Sequence, residues 1–421
     1  MYEHYTFFRK EKQAETGVDF QKKKKGKKGG RMKILHTSDW HVGKRLMGRE
    51  RLAEQAEVLD EIIELCEREE IELILIAGDV FDTYTPQAEA EELFFSKIKK
   101  VAGKDRAVLI ISGNHDDGVR LSAVSPLSQE QGVYIVGNSR AAVSISYQGR
   151  KTHPTASGKG YVVFENERGE KVFIATLPYP NEARFREEKS ELSYVERMKV
   201  WIEEGISGNT ENRPSILLAH IFVAGGKASD SEREIDLGGA RALPIEALPS
   251  TDYIALGHLH KQQKMGEKHC YYSGSPLQYS FDERADKGVK VFDLTEKGVE
   301  NLKDIPLTKG KKLVRLEAES IETAETLLEK YNENLVELKL ILTAPLTQGD
   351  SAKLASHENL VSLIAEVCTE EEIRFESRKG LADSALFDAY YQSTYNAEPK
   401  SELKNLFLSV MNELQEKGEN A

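Results

Sequence analysis

Short, unbroken apolar runs alternate with helical patterns along residues 33–256. The runs have the character of strands, and in chain order they are residues 33–38, 73–77, 107–112, 215–219 and 253–256. Between the first three, residues 51–70 and 87–101 carry apolar side chains at helical spacing. A strand that is apolar at every position needs cover on both faces of its sheet. The sequence therefore predicts an α/β fold with helices packed on a sheet.

Each of these strands ends in side chains that can bind a metal ion. In chain order they are Asp39 and His41, Asp79 and Asp82, Asn114 with His115 and Asp116, His220, and finally His258 and His260. Turn chemistry explains Gly, Asn and Asp at such positions, so each motif alone is a weak signal. It does not call for histidine, yet five of the ten histidines lie here. Because α/β folds place their sites at carboxyl ends of strands, the ordered set predicts one site.

The residue types in this set indicate the chemistry. Imidazole, carboxylate and amide groups without thiolate suit borderline to hard divalent ions. Seven ligands are too many for one ion and fit two ions that share a bridging carboxylate. Two ions about 4 Å apart can hold a hydroxide, polarise a phosphoryl group and stabilise the leaving oxygen. The sequence contains no G-x-x-x-x-G-K-[ST] loop, so any use of ATP would require a partner chain.

Charge is distributed unevenly along the chain. The net charge is −12, which argues against a nucleic-acid partner unless bound metal ions reverse the charge locally. Residues 1–31 carry a net charge of +6, have no apolar periodicity and are predicted to be disordered. This basic tail is either an arm for nucleic acid or a dispensable extension. Three scattered cysteines, no secretion signal and no membrane-length apolar run together predict a cytoplasmic protein.

The motifs D-x-H, G-D-x-x-D, G-N-H-[DE], H and G-H-x-H, in this order, resemble those of the binuclear, calcineurin-like metallophosphoesterases. Longer segments narrow the resemblance: "ILHTSDWHVGK", "AGDVFDT", "GNHDD", "ALGHLHKQQ" and "YSGSPLQYSFDE". Together these segments are similar to the SbcD family, the nuclease subunits of bacterial SbcCD complexes. The resemblance covers residues 32–420 and implies a calcineurin-like β-sandwich flanked by helices.

The resemblance also implies roles for the strand-end residues. It assigns them to two manganese ions, with Asp39, His41, Asp79 and His260 for one, and Asp79, Asn114, His220 and His258 for the other. His115 would face the scissile phosphate and assist the leaving group as a general acid or charge stabiliser. Asp116 would orient His115. Asp82 would support the site without binding metal.

Two loops outside the metal set are candidates for further roles. Residues 44–49 follow His41 and contain Lys44, Arg45 and Arg49, which makes this loop the best local candidate for contacting DNA phosphates. Residues 229–233 (SDSER) follow His220 and also resemble the family. A solvated charged loop is an equally good explanation of that second segment.

The resemblance divides the chain into a nuclease domain at 32–305, a capping domain at 306–380 and partner-docking helices at 381–421. The residues after 310 predict a small α+β unit, with strands at 312–316, 335–342 and 373–377 and helices at 321–331 and 356–366. In the family this unit helps to hold DNA against the metals. A unit that serves stability alone remains open.

The last segment contains two amphipathic helical patterns. Their apolar stripes are Leu386, Phe387, Tyr390 and Tyr391, followed by Leu403, Leu406, Phe407, Val410 and Leu414. Such a pair must bury its stripes, and packing on this chain's own capping unit is one solution. The resemblance implies docking onto the coiled-coil base of an SbcC-like ABC-type ATPase instead.

The function implied by the resemblance is a Mn²⁺-dependent DNA nuclease, an ATP-dependent 3'-5' double-strand exonuclease and single-strand or hairpin endonuclease. It would act in DNA repair, replication and recombination at the nucleoid, as a nuclease homodimer within a heterotetramer with two ATPase subunits. One alternative is a phosphoesterase for small phosphodiesters or phosphomonoesters, but the long segment beyond His260 favours a macromolecular substrate. The other is a non-catalytic scaffold, which the complete ligand set disfavours.

Overall fold

The computed structural model describes residues 30–138, 141–145, 149–180, 192–232, 241–283, 286–367, 383–395 and 397–418. The tail predicted to be disordered lies outside the described residues up to position 29. The first strand begins at Arg31, one residue before the predicted start of the ordered chain. Within the described part of the chain, no helix has the length and apolar character needed to cross a membrane.

Strands and helices follow one another along the chain as the apolar runs predict. The strands are β1 (Arg31–Thr37), β2 (Leu73–Ala77), β3 (Ala107–Ile111), β4 (Val133–Val136), β5 (His153–Gly158), β6 (Tyr161–Glu165), β7 (Lys171–Leu177), β8 (Ser215–His220), β9 (Tyr253–Gly257), β10 (Gln263–Lys264), β11 (Cys270–Tyr272), β12 (Gly288–Thr295), β13 (Gly298–Pro306), β14 (Leu313–Ala318), β15 (Leu335–Leu342) and β16 (Leu360–Val367). The helices are α1 (Leu52–Arg68), α2 (Ala88–Ala102), α3 (Gly118–Ser122), α4 (Ser125–Ser128), α5 (Tyr194–Ser207), α6 (Ile321–Lys330), α7 (Gln348–Ala355), α8 (Asp383–Tyr395) and α9 (Ser401–Gly418).

Two sheets form the body of the protein. The first has the strand order β13-β12-β1-β2-β3-β4, and the second has the order β10-β11-β9-β8-β7-β6-β5. Strands β1 to β4 run parallel, as do β7, β8 and β9. Buried side chains from both sheets, such as Ile34, Phe164 and Ile216, form one apolar cluster between them. The two sheets therefore pack face to face as a sandwich.

Alternate residues of the central strands serve the two faces of the first sheet. In β2, Leu73 and Leu75 belong to the cluster between the sheets, whereas Ile74 and Ile76 pack with residues of α1 and α2. The outer face of the second sheet is covered by α5, whose Trp201 lies in a third cluster. The layers are therefore helix, sheet, sheet, helix, and the predicted α/β sandwich flanked by helices is confirmed.

A third, separate sheet follows the sandwich. Strands β14, β15 and β16 pair in parallel, and α6 and α7 pack on them around a buried cluster that includes Leu328, Leu338 and Leu354. The predicted element order is present, but the helix expected at 356–366 is wrong. Residues 360–367 are strand β16, and the second helix is α7, begun by Thr347, whose Oγ1 accepts from Asp350 N at 3.1 Å.

This prediction is wrong because the sequence pattern does not show that residues 360–367 pair with β15. Apolar residues at 360, 361, 363 and 364 fit a helical stripe as well as a strand, so the sequence pattern is ambiguous. In the folded protein, β15 presents backbone groups that only a neighbouring strand satisfies, and residues 360–367 supply that strand. The strand predicted at 373–377 lies outside the described residues.

The two C-terminal helices pack against each other. Phe387 of α8 stacks on Phe407 of α9 with ring centroids 4.3 Å apart, and Lys404 pairs with Asp388. Other apolar side chains of the pair are exposed: Tyr390, Tyr395, Leu403, Leu406 and Val410. For two stripe positions, Leu386 and Leu414, the structure describes only the backbone. The predicted stripes are therefore only partly used in contacts between α8 and α9.

Candidate metal centre

The predicted site residues meet at one edge of the sandwich. Strands β1, β2 and β3 of the first sheet and β8 and β9 of the second end there. The residues that the structure brings together are Asp39, His41, Asp79, Asn114, His115, Asp116, His220, His258 and His260, each at most 6% exposed. Contacts across the two sheets join them, since His258 N donates to Asp39 Oδ1 at 3.0 Å. Five separate segments thus build one buried polar cluster.

The backbone at four of these residues is strained. Asp39, His41, Asp79 and His258 have φ angles of 53°, 43°, 49° and 111°, in the region that normally favours glycine. Such conformations persist only where the surrounding structure enforces them, and they gather at functional sites. Here the loops after β1 and β2 are hydrogen-bonded to each other: Asp39 N donates to the Gly78 carbonyl and His41 N to the Asp79 carbonyl, both at 3.0 Å. This backbone conformation directs the four side chains into the cluster.

One half of the cluster is formed by Asp39, His41 and His260. One ligand atom from each lies within 4.8 Å of the others, and the two Nε2 atoms of His41 and His260 are 2.9 Å apart. Burial lowers the pKa of His41 well below its ordinary value, with His115 adding to that effect and Asp82 opposing it. His41 is therefore neutral, which is the form in which imidazole binds a metal ion.

The other half contains Asn114, His220 and His258. Asn114 Oδ1 lies 2.8 Å from His220 Nε2 and 3.0 Å from His258 Nδ1. His220 Nδ1 lies 2.7 Å from the carbonyl oxygen of Ala77. Because a carbonyl oxygen can only accept, His220 carries a proton on Nδ1. In the neutral ring this leaves the Nε2 lone pair facing the cluster.

Asp79 lies between the two halves. Its Oδ2 is 3.5 Å from His41 Nε2 and 3.5 Å from His220 Nε2. Its Oδ1 accepts from the backbone N–H of His115 at 2.8 Å. Burial tends to raise the pKa of Asp79, but the charges of His220 and His115 outweigh it and hold the pKa well below its usual range. One ionised carboxylate thus faces both groups of donors.

The donor set fits divalent metal ions. Carboxylate, imidazole and amide donors converge from both sides, and Asp39, Asp79 and His220 form a second group of ligand atoms within 4.8 Å. Burial raises the pKa of Asp39 to about 6, while His220 and His260 act in the opposite direction. Buried carboxylates without a nearby cation are costly, and metal ions remove that cost. The site therefore suits two divalent ions, one in each half.

His115 borders the cluster and is held by Asp82. Its Nδ1 lies 2.7 Å from the backbone oxygen of Asp82 and 3.8 Å from that residue's carboxylate Oδ1. The His115 ring packs edge-on against His41, with centroids 4.6 Å apart. Burial tends to raise the pKa of Asp82, but hydrogen bonding to His41 and the charge of Lys44 lower it overall. Asp82 therefore both orients His115 and stays ionised.

Asp116, whose role in orienting His115 stays a prediction, is hydrogen-bonded to backbone groups of two loops. Its carboxylate accepts backbone N–H groups of Gly113 at 2.9 Å, Phe81 at 3.0 Å and Val80 at 3.1 Å. Burial and the neighbouring Asp79 raise the pKa of Asp116 to about 7. The side chain points into the loops behind the cluster because unpaired N–H groups there would otherwise be buried. Its role is to join the loops after β2 and β3.

The three basic residues of loop 44–49 have different environments. Lys44 Nζ donates to Asp82 Oδ1 at 2.9 Å and is the one that reaches the cluster. Arg45 pairs with Glu50 at the surface, and Arg49 donates to the backbone oxygen of Glu358, beside the third sheet. The loop therefore runs from the metal centre to the third-sheet unit.

Several residues that shape the site were not singled out in the sequence. Gln55 of α1 is buried, donates to the His41 carbonyl and accepts from Gly43 N, both at 2.9 Å. Tyr179 stacks on His258 with an interplanar angle of 17°. Segment 229–232, for which a solvated loop seemed equally good, instead contacts His260 through Ser231 and Glu232. A buried polar residue on an otherwise apolar helix face was the one available signal for Gln55.

Comparison with known proteins shows which family the chain resembles. Residues 32–262 match the family model described as calcineurin-like phosphoesterase. The chain is 33% identical to the SbcD subunit of the nuclease SbcCD from Bacillus subtilis, over 91% of its own length and 99% of the relative. The SbcD subunits from Staphylococcus epidermidis and Rhodobacter capsulatus are 30% and 31% identical to it, over 72% and 68% of this chain and 77% and 72% of theirs.

The packing of Gly113 beneath Asp79 gives a first prediction. A Cβ atom at residue 113 would lie 2.0 Å from Asp79 Oδ1 and 2.3 Å from Asp79 N, so Gly113→Ala must displace that carboxylate. We expect the variant to lose bound metal ions, measured by elemental analysis after gel filtration. Gly349→Ala, in the first turn of α7, is the control, because its Cβ would lie 3.8 Å from Thr347 Oγ1, an ordinary contact, and this variant should keep its bound metal ions. Full metal content in Gly113→Ala would contradict this description of the site.

Proposed function

Because the chain belongs to the calcineurin-like phosphoesterases and, within them, to the SbcD family of nuclease subunits, we propose that it is a DNA nuclease that uses two Mn²⁺ ions to hydrolyse phosphodiesters. The observation that carries this proposal is the position of Asp79. One buried carboxylate oxygen lies 3.5 Å from a histidine nitrogen of each half of the cluster. A carboxylate in that position suits a bridge between two ions.

We assign the metal ligands in two sets. Asp39, His41, Asp79 and His260 would hold one ion, and Asp79, Asn114, His220 and His258 would hold the other. When bound, the two ions supply Lewis acidity that polarises a phosphodiester and makes water a nucleophile at neutral pH. Mixed carboxylate and imidazole donors without thiolate are compatible with Mn²⁺.

We assign His115 the proton chemistry of the leaving group. The Asp82 carbonyl fixes its Nδ1 as a donor, which leaves Nε2 as the nitrogen that exchanges a proton or hydrogen-bonds to substrate. His115 donates its backbone N–H to Asp79 Oδ1, and its ring packs edge-on against His41. We propose that this ring acts on the substrate and does not bind a metal ion. His115 would act as a general acid or charge stabiliser. Lys44, held beside it through Asp82, would contact a neighbouring phosphate.

A macromolecular substrate is favoured over a small phosphoester. Beyond the sandwich the chain continues into the third-sheet unit, which Arg49 contacts through Glu358. We propose residues 306–380 as a capping domain that holds DNA against the nuclease domain of residues 32–305. The curated relatives are described as parts of a nuclease. A phosphoesterase for small phosphodiesters or phosphomonoesters remains the second candidate, since the metal centre alone would serve it.

We propose that the partner is an SbcC-like ABC-type ATPase, in an assembly of two nuclease and two ATPase subunits at the nucleoid. The apolar side chains exposed on α8 and α9 support docking of residues 381–421 onto this partner. Two further exposed apolar side chains support a homodimer of the nuclease domain. They lie just after His115 on α3 and α4, where Val119 is 82% and Leu127 is 73% exposed.

A nuclease assay on blunt and hairpin duplexes, with Mn²⁺ and with or without the ATPase and ATP, tests the proposed activity. We expect cleavage that EDTA abolishes, and His115→Ala should lower it about 10²–10⁴-fold while keeping the bound metal. His269→Ala, at an exposed position, is the matched control and should cleave normally. Loss of one metal equivalent in His115→Ala would make that residue a ligand. Hydrolysis of small phosphoesters without cleavage of DNA would favour the second candidate.

Metal content distinguishes the bridging residue from a ligand of one ion. Asp79→Ala should lose both ions, because both depend on its carboxylate, whereas His41→Ala should lose mainly one. Elemental analysis of the purified variants measures this directly. Asp293→Asn is the control, since Asp293 is also buried but pairs with Arg31 away from the site. Two tightly bound ions in Asp79→Ala would rule out the bridge.

Deletion of residues 383–421 tests the docking helices. Since α8 and α9 pack mainly on each other through Phe387 and Phe407, the remaining chain should stay folded. We expect it to retain Mn²⁺-dependent cleavage of single-stranded DNA but to stop co-purifying with the ATPase and responding to ATP. Aggregation of the truncated protein, or unchanged affinity for the ATPase, would place the helices in the body of the fold.

A further inference from the structure

His260 is held by side chains on the side away from the metal centre. Its Nδ1 lies 2.5 Å from Ser231 Oγ, and that hydroxyl donates to Glu283 Oε1 at 2.6 Å. Glu283 is 5% exposed and His260 is 2% exposed. Three segments of the chain thus form a relay of carboxylate, hydroxyl and imidazole, with both ends buried and the Ser231 hydroxyl half-buried between them. The opposite ring nitrogen, Nε2, faces His41 Nε2 at 2.9 Å.

The carboxylate decides the direction of the hydrogen bonds in this relay. Ser231 Oγ lies 2.6 Å from Glu283 Oε1 and 2.9 Å from Ser229 Oγ, and the nearer, ionised carboxylate takes its single hydroxyl hydrogen. Ser231 Oγ must then accept from His260, which places the ring proton on Nδ1. In the neutral ring the Nε2 lone pair is left free to bind a metal ion. Without the carboxylate, the hydroxyl could donate to Nδ1 and leave the proton on Nε2, where it would block binding.

The surroundings keep Glu283 ionised and in place. Lys287 Nζ donates to Glu283, to the His260 carbonyl at 2.9 Å and to Ser275 Oγ at 2.8 Å. Glu232 adds a second anchor, because its Oε1 accepts from His260 N at 2.7 Å. The relay is therefore attached to both the backbone and the ring of His260.

This arrangement differs from that at His220 and His115. Those rings direct Nδ1 to backbone carbonyls of Ala77 and Asp82, which no side-chain substitution removes. At His260 the same task falls to two side chains. The tautomer of His260 is therefore open to mutation in a way that the other two are not.

We propose that Ser231 and Glu283 are positioning residues that fix the tautomer of His260, so that Nε2 is the atom it offers to the metal ion. This inference rests on the proposed two-metal function and deepens it. It states that the affinity of one of the two metal sites depends on two residues that do not contact the ion. Ser231 and Glu283 act through His260 and are not themselves ligands.

Glu283→Gln is the sharpest test, because it preserves shape and changes one group. Lys287 can only donate, so the amide oxygen of Gln would face Lys287 and its NH₂ group would face Ser231. The Ser231 hydroxyl would then accept from Gln and donate to His260 Nδ1, which moves the ring proton to Nε2. Ser231→Ala removes the relay, whereas Ser231→Thr retains the hydroxyl. Ser157→Ala removes a serine hydroxyl in β5 that accepts from Val143 N, away from the site.

Two measurements on metal-free, ¹⁵N-histidine-labelled protein decide the matter. Long-range ¹H–¹⁵N correlation spectra, recorded at a pH where the His260 ring is neutral, should show it protonated on Nδ1 in the wild type, in Ser231→Thr and in Ser157→Ala, and on Nε2 in Glu283→Gln. Calorimetric titration should show that Glu283→Gln and Ser231→Ala each lower the Mn²⁺ affinity of one of the two sites about 10- to 100-fold. The Mn²⁺ affinity of the other site should be unchanged.

Circular dichroism on the same samples identifies any variant that fails to fold, and Ser231→Thr then supplies the hydroxyl-dependent comparison. A wild-type His260 protonated on Nε2, or unaltered Mn²⁺ binding in both folded variants, would overturn the inference. A wild type that binds fewer than two Mn²⁺ would overturn the proposed function instead, while the tautomer spectra still decide the role of Ser231 and Glu283.

Discussion

The buried carboxylate of Asp79 is the constraint on which the rest of this structure depends. An ionised group with almost no exposure to water is tolerable only where donors and cations surround it. Here it receives the backbone N–H of His115, and it lies equally far from the nitrogens of His41 and His220. Gly113 must lack a side chain to allow this approach. The loops after β1, β2, β3 and β8 are therefore placed by the needs of one carboxylate.

The sandwich makes this concentration of polar groups possible by providing a rigid frame. Strands β1 to β3 and β8 to β9 run parallel within their own sheets, so their carboxyl ends bring five loops to one edge. Apolar clusters between the sheets and beneath both helical layers hold the strand ends in place. That frame can enforce left-handed backbone at residues such as Asp39 and His258, where a mobile loop would relax. The rigid core thus fixes the positions of the side chains in the metal centre.

The parts that we assign to partners have a different physical character. The metal centre is buried and its side chains contact one another within the chain, whereas α8 and α9 expose apolar side chains, among them Leu406 at 60%. The α3–α4 surface likewise exposes Val119. Chemistry needs fixed geometry in a dry site, and assembly needs apolar surface that another molecule can cover. The third-sheet unit is joined to the centre by loop 44–49, through Lys44 at one end and Arg49 at the other.

The sequence by itself determined an α/β fold with metal-binding residues at its strand ends, because apolar runs specify buried strands and α/β folds place their sites at those ends. The face-to-face packing of two sheets was implied only by the resemblance to the metallophosphoesterases. The sequence could not choose between helix and strand at 360–367, where the apolar pattern fits both and the free edge of β15 made the choice. Nor could it direct Asp116 to the backbone of Val80, Phe81 and Gly113, or enclose Ser231 and Glu283 behind His260. Apart from Gly113 and Asp116, those partners lie far apart in the chain. Residue type and spacing record which groups can bind, but only tertiary packing decides which buried donor meets which acceptor.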